Sequence, residues 1–154
     1  MKERLKKYVL SGKFKIAFEE IVKNMTFKEF DDLLTDIAYD SQSVIIYAFI
    51  CYLISINNCV EYHNVAQSTM CNPLCFIDGA YETALYHNRV ILEAEPNNVN
   101  ANLMLLFYNT LPDKLVSDEA ALSAAKNILA REPKNVVAAN YISEYKNKCN
   151  KAGR

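Results

Sequence analysis

Two histidines and five cysteines are the residues of this 154-residue chain with the widest range of chemistry. His63, Cys71 and Cys75 fall within 13 residues, a density at which zinc ligands gather. A structural zinc site needs four donors, and no CxxC or HxxxH pair is present to supply them. Pro73 also interrupts any helix that would set Cys71 and Cys75 on one face, so they read as packed cysteines. Nucleophilic catalysis would need His63 or His87 beside a Cys or Ser and an orienting acid. Glu61-Tyr62-His63-Asn64 form a polar cluster, which Glu82 and His87 reach if their helices are neighbours. The helical background holds no nucleophile elbow. Gly12, Gly79 and Gly153 stand apart, so no Gly-rich phosphate loop forms. The cluster therefore reads as a hydrogen-bonding patch, and the sequence predicts no catalytic residue, metal ligand or cofactor.

The elements that must position these residues are helical. Apolar residues recur at three and four, and no stretch alternates with a period of two. Thr26 precedes a helix with Glu29 at the third position, the spacing of a capping box, and Ser117-Asp118-Glu119 opens a run to Arg131. Asp40 or Ser41 is expected to cap the apolar helix over 42–56. Asn57-Asn58, Asn72-Pro73, Glu95-Pro96, Leu111-Pro112 and Glu132-Pro133 mark stops. The pattern predicts helices at about 2–10, 13–24, 27–39, 42–56, 59–70, 77–94, 98–110, 118–131 and 135–148. Short links make successive helices antiparallel neighbours. The expectation is one all-α domain over residues 1–154.

Composition narrows the class further. A hydrophobic share of 51% excludes intrinsic disorder. The start, MKERLKKYVLSGKFK, has charge but no apolar core, so it does not read as a signal peptide. Residues 44–56 form an apolar run too short for a membrane helix, which needs about 20. A reduced, cytoplasmic location is expected, with no membrane partner. The formal net charge is −1, which leaves no global basic field for nucleic acid. The charges are unevenly spread. Residues 1–28 hold eight bases and three acids, residues 29–95 ten acids and one base, and residues 96–154 eight bases and five acids. The middle stretch is a candidate acidic field for a basic partner. Lys2, Lys6 and Lys13 share a helical face with Leu5, Val9 and Leu10 turned inward; Lys146, Lys148, Lys151 and Arg154 make a basic tail. Neither cluster has interleaved aromatics, so direct nucleic-acid binding is not expected.

The C-terminal half repeats itself. At an offset of 37, Glu82-Thr83-Ala84-Leu85 falls on Glu119-Ala120-Ala121-Leu122, Ile91-Leu92 on Ile128-Leu129, Glu95-Pro96 on Glu132-Pro133, and Asn98-Val99 on Asn135-Val136. Each unit is a helix, a tight Glu-Pro-x-Asn turn and a second helix, and it buries its apolar stripe by stacking on a neighbour. Ala84, Asn88, Ile91 and Pro96 in one unit, and Ala121, Ala125, Ile128 and Pro133 in the other, resemble the second-helix pattern of the tetratricopeptide repeat. The resemblance covers residues 78–142, with a spacing of 37 where that family uses about 34. It implies about eight or nine helices in antiparallel hairpins, stacked as a short right-handed superhelix.

A helix over 77–94 with Ala80, Ala84, Leu85 and Ile91 inward would turn Asp78, Glu82, Tyr86, Arg89 and Glu93 outward. A tyrosine among charges is what a protein interface favours. With Glu61, Tyr62 and His63, these five are the candidate partner-binding residues. The segments YAFICYLIS (47–55), EYHNVA (61–66) and GAYETALYH (79–87) resemble small helical immunity proteins of contact-dependent growth inhibition and related bacterial toxin systems. That resemblance implies an antidote that binds a cognate toxin domain with a basic surface and occludes its active site. The alternative is a tetratricopeptide-like adaptor or chaperone-like regulator that takes a peptide through Asn88, Arg89 and neighbouring groove residues.

Overall fold

The computed structural model describes residues 1–152, and within them the protein is all α-helical, with no strand. Nine α-helices follow one another: α1 (Lys2–Leu10), α2 (Phe14–Glu20), α3 (Phe27–Ser41), α4 (Ile45–Ile56), α5 (Val60–Cys71), α6 (Ala80–Ala94), α7 (Val99–Thr110), α8 (Asp118–Arg131) and α9 (Val136–Ala152). The chain divides into two compact units, Met1–His87 and the remainder from Asn88, so the division falls within α6. Of the basic tail, the Lys151 side chain and Arg154 lie outside the described residues.

Helix ends follow local chemistry. Thr26 caps α3 through a complete capping box: its hydroxyl accepts from Glu29 N–H, and the Glu29 carboxylate accepts from Thr26 N–H at 2.8 Å. Ser117 caps α8 by accepting from Ala120 N–H at 3.2 Å. Two expectations fail. The predicted helix over 13–24 breaks at Ile21, whose ψ of −66° and φ of −124° lie off the helical track, and Val22–Asn24 forms a 3-10 turn. Asp40 and Ser41 do not cap α4, because α3 runs through both and ends at Gln42 in the left-handed region, φ 46°. Asp40 instead meets Lys2 and Lys6, and the Ser41 hydroxyl donates back to the Ile37 carbonyl at 2.8 Å. Helix α6 also starts later than predicted. Gly79, at φ 75°, ends the turn that precedes it, and Asp78 lies in that turn.

The first unit is built on apolar stripes at helical spacing. Leu5 and Val9 of α1, Phe30, Leu34, Ile37 and Ala38 of α3, and Ile46, Phe49, Ile50 and Leu53 of α4 are all buried. Each of the Val, Leu, Ile and Phe side chains among them contributes about 1.5–3 kcal/mol on leaving water. Phe49 sits among rings, 5.3 Å from Phe14 and 6.5 Å from Phe30, and Tyr62 of α5 packs on Phe27 at 5.0 Å. Leu10 faces outward instead of joining Leu5 and Val9.

In the second unit α7 packs on α8 and α8 on α9. The duplicated positions are buried in both copies: Ile91 and Ile128, Asn88 and Ala125, Ala101 and Ala138. Asn88 tolerates this place because its amide donates to the Ala101 carbonyl at 3.1 Å.

Candidate functional site

His63 and His87 meet inside the first unit. They are 4% and 2% exposed, and their Nδ1 atoms stand 2.8 Å apart. His63 Nε2 lies 2.7 Å from Asn58 Oδ1, and His87 Nε2 lies 2.9 Å from the Tyr47 hydroxyl. These contacts fix the hydrogens. Asn58 Oδ1 only accepts, so His63 Nε2 carries hydrogen and its Nδ1 accepts. His87 Nδ1–H then donates to His63, which leaves His87 Nε2 to accept from Tyr47 O–H. Four side chains from α4, α5, α6 and the α4–α5 link thus form one directional chain with every ring nitrogen bonded.

Burial governs the titration of this chain. Desolvation holds His63 below the usual imidazole range, and desolvation with the neighbouring His63 pushes His87 down to about 4. Tyr47 is held well above the ordinary phenol range by burial and by Cys51 beside it. Among the described residues neither histidine bonds to a carboxylate. The pair is neutral at pH 7, and the carboxylate that a nucleophile–histidine–acid arrangement requires is missing from its bonding chain.

The spacing of the inward faces held the signal for the burial of each ring. His87 occupies the same stripe as Ala80, Ala84 and Ile91, and His63 that of Ala66 and Met70. The predicted interface cluster accordingly separates. Glu61 and Asn64 are exposed, whereas Tyr62 and His63 are buried and offer no surface to a partner. Asp78, Glu82 and Tyr86 are exposed in the first unit, Tyr86 with 58% of its surface open and its ring 5.1 Å from His87. Arg89 and Glu93 are exposed on the part of α6 that belongs to the second unit. Cys71 ends α5, and Cys75 is exposed in the following turn. No group of three or more metal-ligating side chains occurs among the described residues. Cys71 is half-buried, and Cys75 is not packed as the sequence led us to expect; Cys51 and Cys149 are exposed as well.

The acidic stretch is partly neutralised from within. Lys2 reaches Asp36 at 3.3 Å and Asp40 at 3.2 Å, and Lys6 reaches Asp40 at 3.5 Å. Beside these pairs a groove of about 800 Å³ runs along α3, lined by Glu29, Asp31, Asp32 and Asp36 with Met1, Met25 and Leu33. Burial and the adjacent Asp32 raise Asp31 above the ordinary carboxylate range. Exposed ion pairs such as Lys2–Asp36 and Lys2–Asp40 contribute little stability, so their chief effect is on the local field.

A second polar network lay beyond sequence reasoning. Asn109 donates to the Val116 carbonyl at 2.9 Å and to Asp118 at 2.8 Å, and it accepts from the Tyr141 hydroxyl at 2.8 Å. Asp118 is held below its usual range by Asn109 and by Lys114. This knot ties the end of α7 to the starts of α8 and α9. No helix is long and apolar enough to cross a membrane among the described residues. Compared with protein-family models, with curated proteins and with solved structures, the chain matches none.

Proposed function

We propose that the chain is a protein-binding antidote, an immunity protein that neutralises a cognate toxin domain by covering its active site. The observation that supports this most is the groove along α3. Four carboxylates line it together with two methionines and a leucine, and Tyr86 and Glu82 stand exposed elsewhere on the same unit. A toxin that cleaves nucleic acid must present a basic cleft to its substrate, and an acidic groove is the complementary shape of charge. Charge of opposite sign speeds capture, and apolar contact beneath it slows release.

The experiment is co-expression with the product of the adjacent reading frame, followed by purification at low salt. A stoichiometric basic partner whose toxicity disappears in the complex supports the antidote. Asp31→Lys with Asp32→Lys is expected to slow association at least tenfold at low salt and to flatten its salt dependence. An unchanged rate removes the groove from the interface, and Glu82→Lys with Glu93→Lys then tests the exposed positions of α6.

A second reading rests on a different feature. The duplicated Glu-Pro-x-Asn turns support a helical-repeat adaptor that takes an extended peptide segment. Recovery of several unrelated proteins through short segments, rather than one stoichiometric partner, would favour it.

A further inference from the structure

We propose that the His63–His87 pair is an acid-operated latch, which fastens the first half of α6 to α4 and α5 at neutral pH and lets go on proton uptake. The hydrogen-bond chain from Tyr47 to Asn58 has no loose end while both rings are neutral. One added proton fits if the bonds reverse: His63 Nδ1–H donates to His87 Nδ1, and His87 Nε2–H donates to the Tyr47 oxygen. A second proton cannot fit, because two N–H groups on two cations would face each other across 2.8 Å. Even the singly charged pair is an ion removed from water.

Among the described residues no carboxylate bonds to either ring. From α4 the pair faces Tyr47, with Cys51 beside its hydroxyl. Tyr86, on α6 itself, meets His87 edge to face. At the start of α5, Glu61 acts on Cys59 and Tyr62, and the link contributes the uncharged Asn58. The folded pair therefore binds fewer protons than the unfolded chain. Its contribution is complete above about pH 6.5 and is lost as the pH falls toward about 4. Opening α6 exposes both rings to water and removes the penalty, so acid favours the open form.

Nitrogen-detected NMR of the imidazoles, with amide hydrogen exchange followed from pH 7 to pH 4, tests the latch. At pH 7 His63 should report the Nε2–H form and His87 the Nδ1–H form. Protection of the amides of 83–87, corrected for intrinsic exchange, should fall by about 10²-fold over that range, ahead of the amides of α3. In His87→Phe the ring volume remains and this extra loss should vanish. The wild-type titration stands alone if that variant does not fold. Two rings titrating independently near 6.5, or α6 protection that tracks α3 at every pH, would overturn the proposal.

Discussion

Asn98 and Asn135 make the same pair of bonds 37 residues apart. Asn98 accepts from Ala101 N–H at 3.0 Å and donates to Glu95 at 2.7 Å. Asn135 accepts from Ala138 N–H at 3.1 Å and donates to Glu132 at 2.9 Å. The backbone agrees as well, with Glu95 N–H and Glu132 N–H each 2.7 Å from the carbonyl four residues back. The internal repeat is thus a repeated geometry, in which one side chain closes the turn and starts the next helix. Asn98→Ala and Asn135→Ala should each cost about 1 kcal/mol in urea unfolding. Because the turns are separate, the double variant should lose close to the sum.

Phe49 should be among the costliest single truncations. It is fully buried and touches rings from α2, α3 and α4. Phe49→Ala is expected to lose about 3–5 kcal/mol. Tyr39→Ala, at a position 55% exposed, should stay within about 0.5 kcal/mol. Comparable losses at both sites would contradict the packing described.

Asn109 joins three partners, so its loss should exceed that of any one bond. Asn109→Ala strands the Val116 carbonyl and the Tyr141 hydroxyl, for about 1–3 kcal/mol. Tyr141→Phe removes a single bond and should cost about 1 kcal/mol. Combining them should cost less than the sum, which a double-mutant cycle in urea measures directly.

Two aspartates should respond to acid with opposite signs. Asp118 is stabilised as a carboxylate, so its contribution is present above about pH 4 and disappears as the pH falls below it. Asp31 is destabilised as a carboxylate, so the folded state prefers it protonated. Asp31→Asn should raise the melting temperature at pH 7 and leave it unchanged at pH 3, whereas Asp118→Asn should lower it at pH 7. Thermal scans at the two pH values read both effects.

Helix positions were legible because their determinants are local. Thr26 with Glu29, and Ser117 with the Ala120 N–H it accepts from, act within one turn of chain. The assignment of Asp40 and Ser41 failed because distant lysines claim one and the helix's own carbonyl claims the other. The same limit applied to the candidate site. The outward positions of Glu82, Tyr86 and Glu93 follow from helical period alone. The contact between His63 and His87 depends on how α5 and α6 are laid side by side, which no short-range pattern encodes. The α3 groove emerges only after Lys2 and Lys6 have withdrawn Asp40 and part of Asp36 from the acidic total.

The buried amide of Asn88 bears on how uniquely α7 is aligned. An apolar residue there would adhere about as strongly, yet it would tolerate a slip of one helix along the other. A slip would draw the Asn88 amide away from the Ala101 carbonyl to which it donates at 3.1 Å, and breaking that buried bond costs free energy. Ala125 occupies the matching place in the second copy and supplies no such key. Of the two duplicated units, the first therefore contains the tooth that selects a single meshing of its helices.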